Sequence, residues 1–490
     1  MTIVIAWAIP VMLAVMLGLG VAVFGFLQYR AAARVTPELR LVVLLLVVGA
    51  GAMLSVALTT RELDDSKVTG LMTYGDVADG FAASRWLSLF LMVASFIEVA
   101  RGWVEDQRRP APDPARPLLL TMLAYYLGTI LVQAVASDEP GFSLRDLYVP
   151  VVLAAVYYQR PANMALLFGA ARGVILALML ASLLCICVKP DFVIHRPDFG
   201  VIPGLDWRLY GLTPHANALG PIALLGIVLE IHSPARWPLL RWLTLLSCAA
   251  VLALAQSKTT WITMPLMALF VWLPLALARA SAAADPAGRF RRSVLTLSGC
   301  IAVVVLLAAA AAAFDVAGFV ERRVDVVSLT GRTQIWDITL QAWRENVLFG
   351  YGPGIWGPDR QREFHMFYVG HAHNQIVQTL GESGLVGLGL LLGYLSALVF
   401  AALRNFVASR GIVLLLLMLM LVRWITEAPM RSEGVLSWST FLHVLLVALA
   451  CRHLRDPGHA IAADPHAAGR RAPRGAVIEA MRREAVLHGR

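Results

Sequence analysis

Two histidines flank one alanine in Gly370-His371-Ala372-His373-Asn374-Gln375-Ile376. Imidazole titrates near neutral pH, so such a ring can take a proton from a sugar hydroxyl. The same pair also fits a structural histidine bonded to backbone, or a His-x-His metal site. No HExxH and no Cys/His cluster accompanies it, so metal ranks below the other two. Upstream, Thr330-Gly331-Arg332-Thr333-Gln334-Ile335-Trp336 opens a helical pattern. Ile335, Trp336, Ile338, Ala342, Trp343 and Val347 recur at helical spacing, and Gly350 closes the pattern before the turn Tyr351-Gly352-Pro353-Gly354. A cation at a helix start works against the dipole. An anion bound near that N-terminus gives Arg332 a reason; an ordinary surface arginine is the alternative. A third stretch, Asp206 to Asn217, carries Arg208, Tyr210 and Asn217, and a fourth is Ser257-Lys258-Thr259-Thr260-Trp261. No phosphate-binding glycine loop, no dinucleotide fingerprint and no Asp-x-Asp is present. That argues against nucleotide-driven chemistry and removes the usual metal clamp for a sugar diphosphate.

These groups must be held by a membrane bundle. The chain is 59 % hydrophobic and 15 % charged over 490 residues, where soluble domains carry about a quarter charged residues. Apolar runs long enough to cross a bilayer recur throughout. The pattern predicts an all-α polytopic membrane protein of twelve or thirteen transmembrane helices, with spans near 3–27, 41–60, 85–101, 117–136, 146–159, 163–188, 215–232, 239–256, 261–279, 293–314, 383–403, 412–428 and 434–451. The N-terminal stretch reads as a span rather than a signal peptide, because it lacks a basic leader and its apolar run is too long.

Basic residues set sidedness. Loops 28–40, 101–116, 159–162, 232–241, 278–293 and 403–410, with the tail from 451, hold 24 of the 41 Lys and Arg but 9 of the 32 acids. That side faces the cytoplasm. The net charge of +9 therefore reports topology and gives no reason to expect nucleic acid. The other face carries loops 61–84, 189–214 and 315–382. The last is the longest and rich in aromatics and glycines, so it is expected to fold. The resulting division is an N-terminal bundle 1–314, the long periplasmic loop 315–382, C-terminal helices 383–451 and a basic cytoplasmic tail 452–490. The five cysteines lie in or beside spans, so no disulfide is expected. Of the intramembrane charges, Arg423 and Glu427 sit four apart and read as a local pair on one helix. Arg172 has Glu98 or Glu230 as candidate partners.

Taken in order, Arg208…Gly211…Pro214…Asn217, Ser257-Lys258, Gly331-Arg332…Trp336, Gly350-Tyr351-Gly352 and His373-Asn374…Glu382-Ser383-Gly384-Leu385-Val386-Gly387 resemble the O-antigen ligase and polymerase superfamily. The motifs span about residues 200–390. The resemblance implies a fold like the GT-C-type membrane glycosyltransferases, and transfer of a glycan from undecaprenyl diphosphate to an acceptor at the periplasmic face of the bacterial inner membrane. Ligases of the family use lipid A–core oligosaccharide and need no metal or other cofactor. The implied catalytic residues are His373 as base with Arg208 and Arg332 on the diphosphate. Guanidinium binds phosphate through two parallel bonds, which suits a leaving group whose charge grows. Lys258, Asn374, Tyr210, His371, Trp336 and Asn217 are the expected substrate contacts, with His371 either orienting His373 or packing. A single displacement inverts the anomeric centre. An O-antigen polymerase or a protein O-oligosaccharyltransferase would share this donor, and a flippase is the reading from another class.

Overall fold

The computed structural model describes residues 36–59, 61, 63, 82–196, 202, 204–276, 332–366, 369–404, 406–432 and 434–456. The expected spans 3–27 and 293–314, most of loop 61–84, the loop's first part with Gly331, Cys300 and the tail beyond 456 lie outside them. The chain is an all-α polytopic membrane protein. Its helices are α1 (Pro37–Ala57), α2 (Ala82–Gln107), α3 (Arg116–Val135), α4 (Tyr148–Gln159), α5 (Ala165–Val188), α6 (Ala216–His232), α7 (Pro238–Ala255), α8 (Lys258–Met267), α9 (Arg332–Glu345), α10 (Gln375–Arg404), α11 (Ile412–Trp424) and α12 (Trp438–Arg455). Seven helical stretches among the described residues are long and apolar enough to cross a membrane: α1, α3, α5, α7, α10, the stretch Ser84–Gln107 within α2, and α8 extended to Ala276.

Each expected span that falls on described residues is helical; α2 and α10 run longer than the expected 85–101 and 383–403, and two helices are shorter than expected. Helix α4 has 12 residues, about 18 Å at 1.5 Å per residue, short of a hydrocarbon core about 30 Å thick. It is nearly all buried, so protein rather than lipid surrounds it. Helix α11 stops at Trp424, not 428, because Pro429 disfavours helical backbone at the residue before it. Helix α12 is buried along almost its whole length and forms the centre of the bundle. Outward residues such as Leu131, Leu184 and Leu246 are large, apolar and exposed, as a lipid-facing surface requires.

The loops segregate to two ends. At one, Arg455 binds Asp113 at 2.8 Å, Arg160 pairs with Asp106 and Asp113, and Glu38 accepts the Ala162 amide. These belong to the loops grouped on the basic side. At the other end, Arg61 donates to the carbonyls of Phe192, Gly211 and Thr213, and a two-residue ladder pairs β1 (Ile194–His195) with β2 (Arg208–Leu209). Arg172 meets Glu230 at 3.7 Å, while Glu98 pairs with Arg40 and Arg101.

The described part of the long loop has its own small core. Ile335, Ile338 and Ala342 of α9 pack with Tyr351, Ile355, Trp356, Val369 and Ala372. Helix α10 kinks at Gly384, where φ is +58°. A Cβ there would lie 2.4 Å from the Leu348 carbonyl carbon. The Gly350 and Gly384 motifs are therefore structural: they bring the end of the loop against the kink. We expect Gly384→Ala to destabilise the protein by at least the ~1–3 kcal/mol of a left-handed non-glycine. A melting curve in detergent checks this, and an unchanged midpoint would refute the packing argument.

Candidate functional site

The histidine loop is pinned from both sides before any chemistry is asked of it. Trp336 of α9 donates its indole N–H to the Ala372 carbonyl at 2.8 Å. Asn374 accepts from the amides of Ile376 and Val377 at 2.9 and 3.1 Å, capping α10. Arg431, between α11 and α12, donates to the Gly370 carbonyl at 3.3 Å and to Glu382 at 3.0 Å. Gln375 accepts the Met430 amide at 2.8 Å. The two turns are thus tied together, and His373 is held at φ +49°, a left-handed backbone uncommon outside glycine.

The His373 amide donates to His371 Nδ1 at 3.0 Å. With Nδ1 accepting, a neutral His371 carries its proton on Nε2, which lies 3.4 Å from Glu427 Oε2. His373 Nδ1 lies 3.6 Å from the same oxygen. Burial pushes His371 down to about 3, with the neighbouring His373 adding to the effect. His215, the cap of α6, is pushed to about 3 by burial against the charges of Arg208, His373 and Arg332. Both rings are neutral at neutral pH. Burial would raise the Glu427 carboxyl, but the His373 ring beside it, with the His371 and His215 imidazoles, holds it below the usual carboxylate range. The site therefore keeps one fixed anion among imidazoles and guanidinia.

Of the expected residues, His371 and His373 lie together with ring centroids 4.0 Å apart and share a cavity lining with His215 and Glu427, while Arg208 and Arg332 interact electrostatically with His215, and Arg332 also with Glu427. Arg208 donates to the Ala255 carbonyl and to Asn217 Oδ1, both at 3.2 Å. Arg332 makes no hydrogen bond to any described residue and interacts with Glu427. Asn217 therefore positions Arg208, Trp336 positions the histidine loop, and Asn374 caps a helix. Tyr210 is buried between the His195 and His215 rings at 4.9 and 4.7 Å. Lys258 is exposed at the start of α8, beside Ser257, which contacts Asn217.

Glu427 is the correction. It interacts electrostatically with Arg423, as expected, but not as an ion pair on one helix: α11 ends three residues earlier and the carboxylate turns to the histidines. Two Arg423 nitrogens, Nε and Nη1, have no hydrogen-bond partner among the described residues. The signal was present in Glu427-Ala428-Pro429, since a carboxylate just before a proline leaves the helix. His371, His373 and Glu427 also offer atoms within 4.8 Å of one another. Two imidazoles and a carboxylate are a donor set that takes a divalent metal such as zinc.

Residues 242–392 match the family model described as O-antigen ligase. That stretch is similar to an O-antigen ligase domain. No curated protein matches the chain. The superfamily is one of membrane glycosyltransferase-like enzymes acting on lipid-linked glycans and lipid-anchored acceptors. The matched segment contains Arg332, His371 and His373, whereas Arg208, His215 and Glu427 come from outside it. If Glu427 orients the two histidines, Glu427→Gln should lower kcat about tenfold. Unchanged kcat with a lowered melting temperature would assign Glu427 to packing.

Proposed function

We propose that the chain is an O-antigen ligase. It transfers a glycan from undecaprenyl diphosphate to lipid A–core oligosaccharide at the periplasmic face of the inner membrane, without metal and with inversion. The observation that supports the reading is Glu427 beside His371 and His373, with Arg208 and Arg332 in electrostatic reach of the same group, at the end of the bundle opposite the basic loops. In this reading the Glu427 carboxylate, 3.6 Å from His373 Nδ1, favours the proton on that nitrogen electrostatically and leaves Nε2 to take the proton of the acceptor hydroxyl, a role typically worth about 10²–10⁴ in rate. Arg208 and Arg332 take the charge that develops on the lipid diphosphate as the glycosidic bond breaks. His215 is neutral and packs between these groups.

The test is transfer in vitro with purified protein, undecaprenyl-diphosphate glycan and lipid A–core, in EDTA and without nucleotide. A product ladder is expected, unchanged by EDTA. Loss of the ladder in EDTA with recovery on zinc would favour a metal on His371, His373 and Glu427. Longer chains on the donor lipid without lipid A–core would make the protein a polymerase. No transfer to any acceptor would remove the transferase reading and leave transport.

A further inference from the structure

A cavity of about 240 Å³ opens beside the histidines. Its lining includes His373, Arg423, Trp438, Ser55, Ser437 and Ser439, and neither Arg208 nor Arg332 reaches it. Arg423 is only 6 % exposed, and its Nε and Nη1 have no hydrogen-bond partner among the described residues. Trp438 is 3 % exposed, and its indole nitrogen is likewise without one. A buried guanidinium with unsatisfied N–H groups is costly, and charges at membrane depth persist where function needs them. Glu427 interacts electrostatically with Arg423 and lines the same cavity, but its carboxylate lies 3.4 and 3.6 Å from the two histidines and leaves Nε and Nη1 of Arg423 without a hydrogen bond.

The base that deprotonates the attacking hydroxyl must touch the acceptor, so the cavity that His373 lines belongs to the acceptor and not to the diphosphate. Serine hydroxyls and an indole suit a sugar, with hydroxyls meeting hydroxyls and C–H groups meeting the ring. The guanidinium needs more than a neutral sugar offers. We propose that this cavity is the acceptor subsite and that Arg423 binds an acidic substituent, a carboxylate or a phosphate, on the acceptor glycan. The inference rests on the transferase reading above.

The experiment compares wild type, Arg423→Met and Arg423→Lys in nanodiscs. Arg423→Met should raise the KM for lipid A–core at least tenfold and leave the donor KM within twofold. Its melting temperature should equal or exceed wild type, because a buried guanidinium with two unsatisfied nitrogens has been removed. Arg423→Lys should recover part of the acceptor KM. A raised donor KM with an unchanged acceptor KM would assign Arg423 to the diphosphate and overturn the proposal. So would a lowered melting temperature with both KM values unchanged, which marks a structural arginine. Should wild type transfer to no acceptor, a binding arm still decides. Methyl glucuronide should raise the melting temperature of wild type but not of Arg423→Met, and methyl glucoside should raise neither. No shift of wild type by the glucuronide would overturn the anion subsite itself.

Discussion

His373→Asn should lower transfer about 10²–10⁴-fold, the range for loss of a general base, while leaving the melting temperature close to wild type. Asparagine is the informative substitution because the residue sits at φ +49°. Asn tolerates the left-handed region and Ala does not. His373→Ala should therefore lose the same activity and also some stability, so the pair separates chemistry from backbone strain. The His373 amide still donates to His371 Nδ1 in both variants, so the loop remains tied. Initial rates with both substrates saturating, read beside melting curves, provide the check. Retention of more than a tenth of wild-type turnover by His373→Asn would remove His373 as the base.

Arg332→Met should be comparably severe, and Arg332→Lys should recover little of the loss. A bidentate pair to phosphate contributes two charge-assisted bonds of about 1.5–3 kcal/mol each, which corresponds to about 10²–10⁴ in rate at about 1.4 kcal/mol per decade. Lysine restores the charge without the fork. The two arginines should differ in a readable way. Arg332 makes no hydrogen bond to described residues, so Arg332→Met should leave stability nearly unchanged. Arg208 braces Ala255 and Asn217, so Arg208→Met should lower both activity and the melting temperature. Equal stability effects for the two would refute this division of labour. An Arg332→Lys variant with near-wild-type turnover would refute bidentate recognition.

The helices were legible because each membrane span is a local fact. Twenty consecutive apolar residues satisfy their backbone within the segment, so α3 and α5 could be read without knowing a neighbour. The alternation of basic loops likewise agrees with the two ends joined by Arg455 to Asp113 and by Arg61 to the carbonyls near β2. The amphipathic helix from Arg332 was visible in its periodicity and in the glycine that closes it. Roles inside the motifs were less visible. Asn374 reads equally as a substrate ligand or a helix cap, and only its bonds to Ile376 and Val377 reveal the cap.

Sequence alone determined that this chain threads a membrane, which of its loops share a side, and that His373, Arg208 and Arg332 were its candidate chemical groups. Composition, period and charge carry that information because they act along the chain. Tertiary structure decided that Glu427 faces the histidines instead of Arg423, that His215 joins them, and that Arg423 is left buried beside a cavity. Those outcomes depend on which way a side chain turns after a helix ends, and on residues about fifty to two hundred positions apart meeting through packing, neither of which leaves a periodic trace in the sequence.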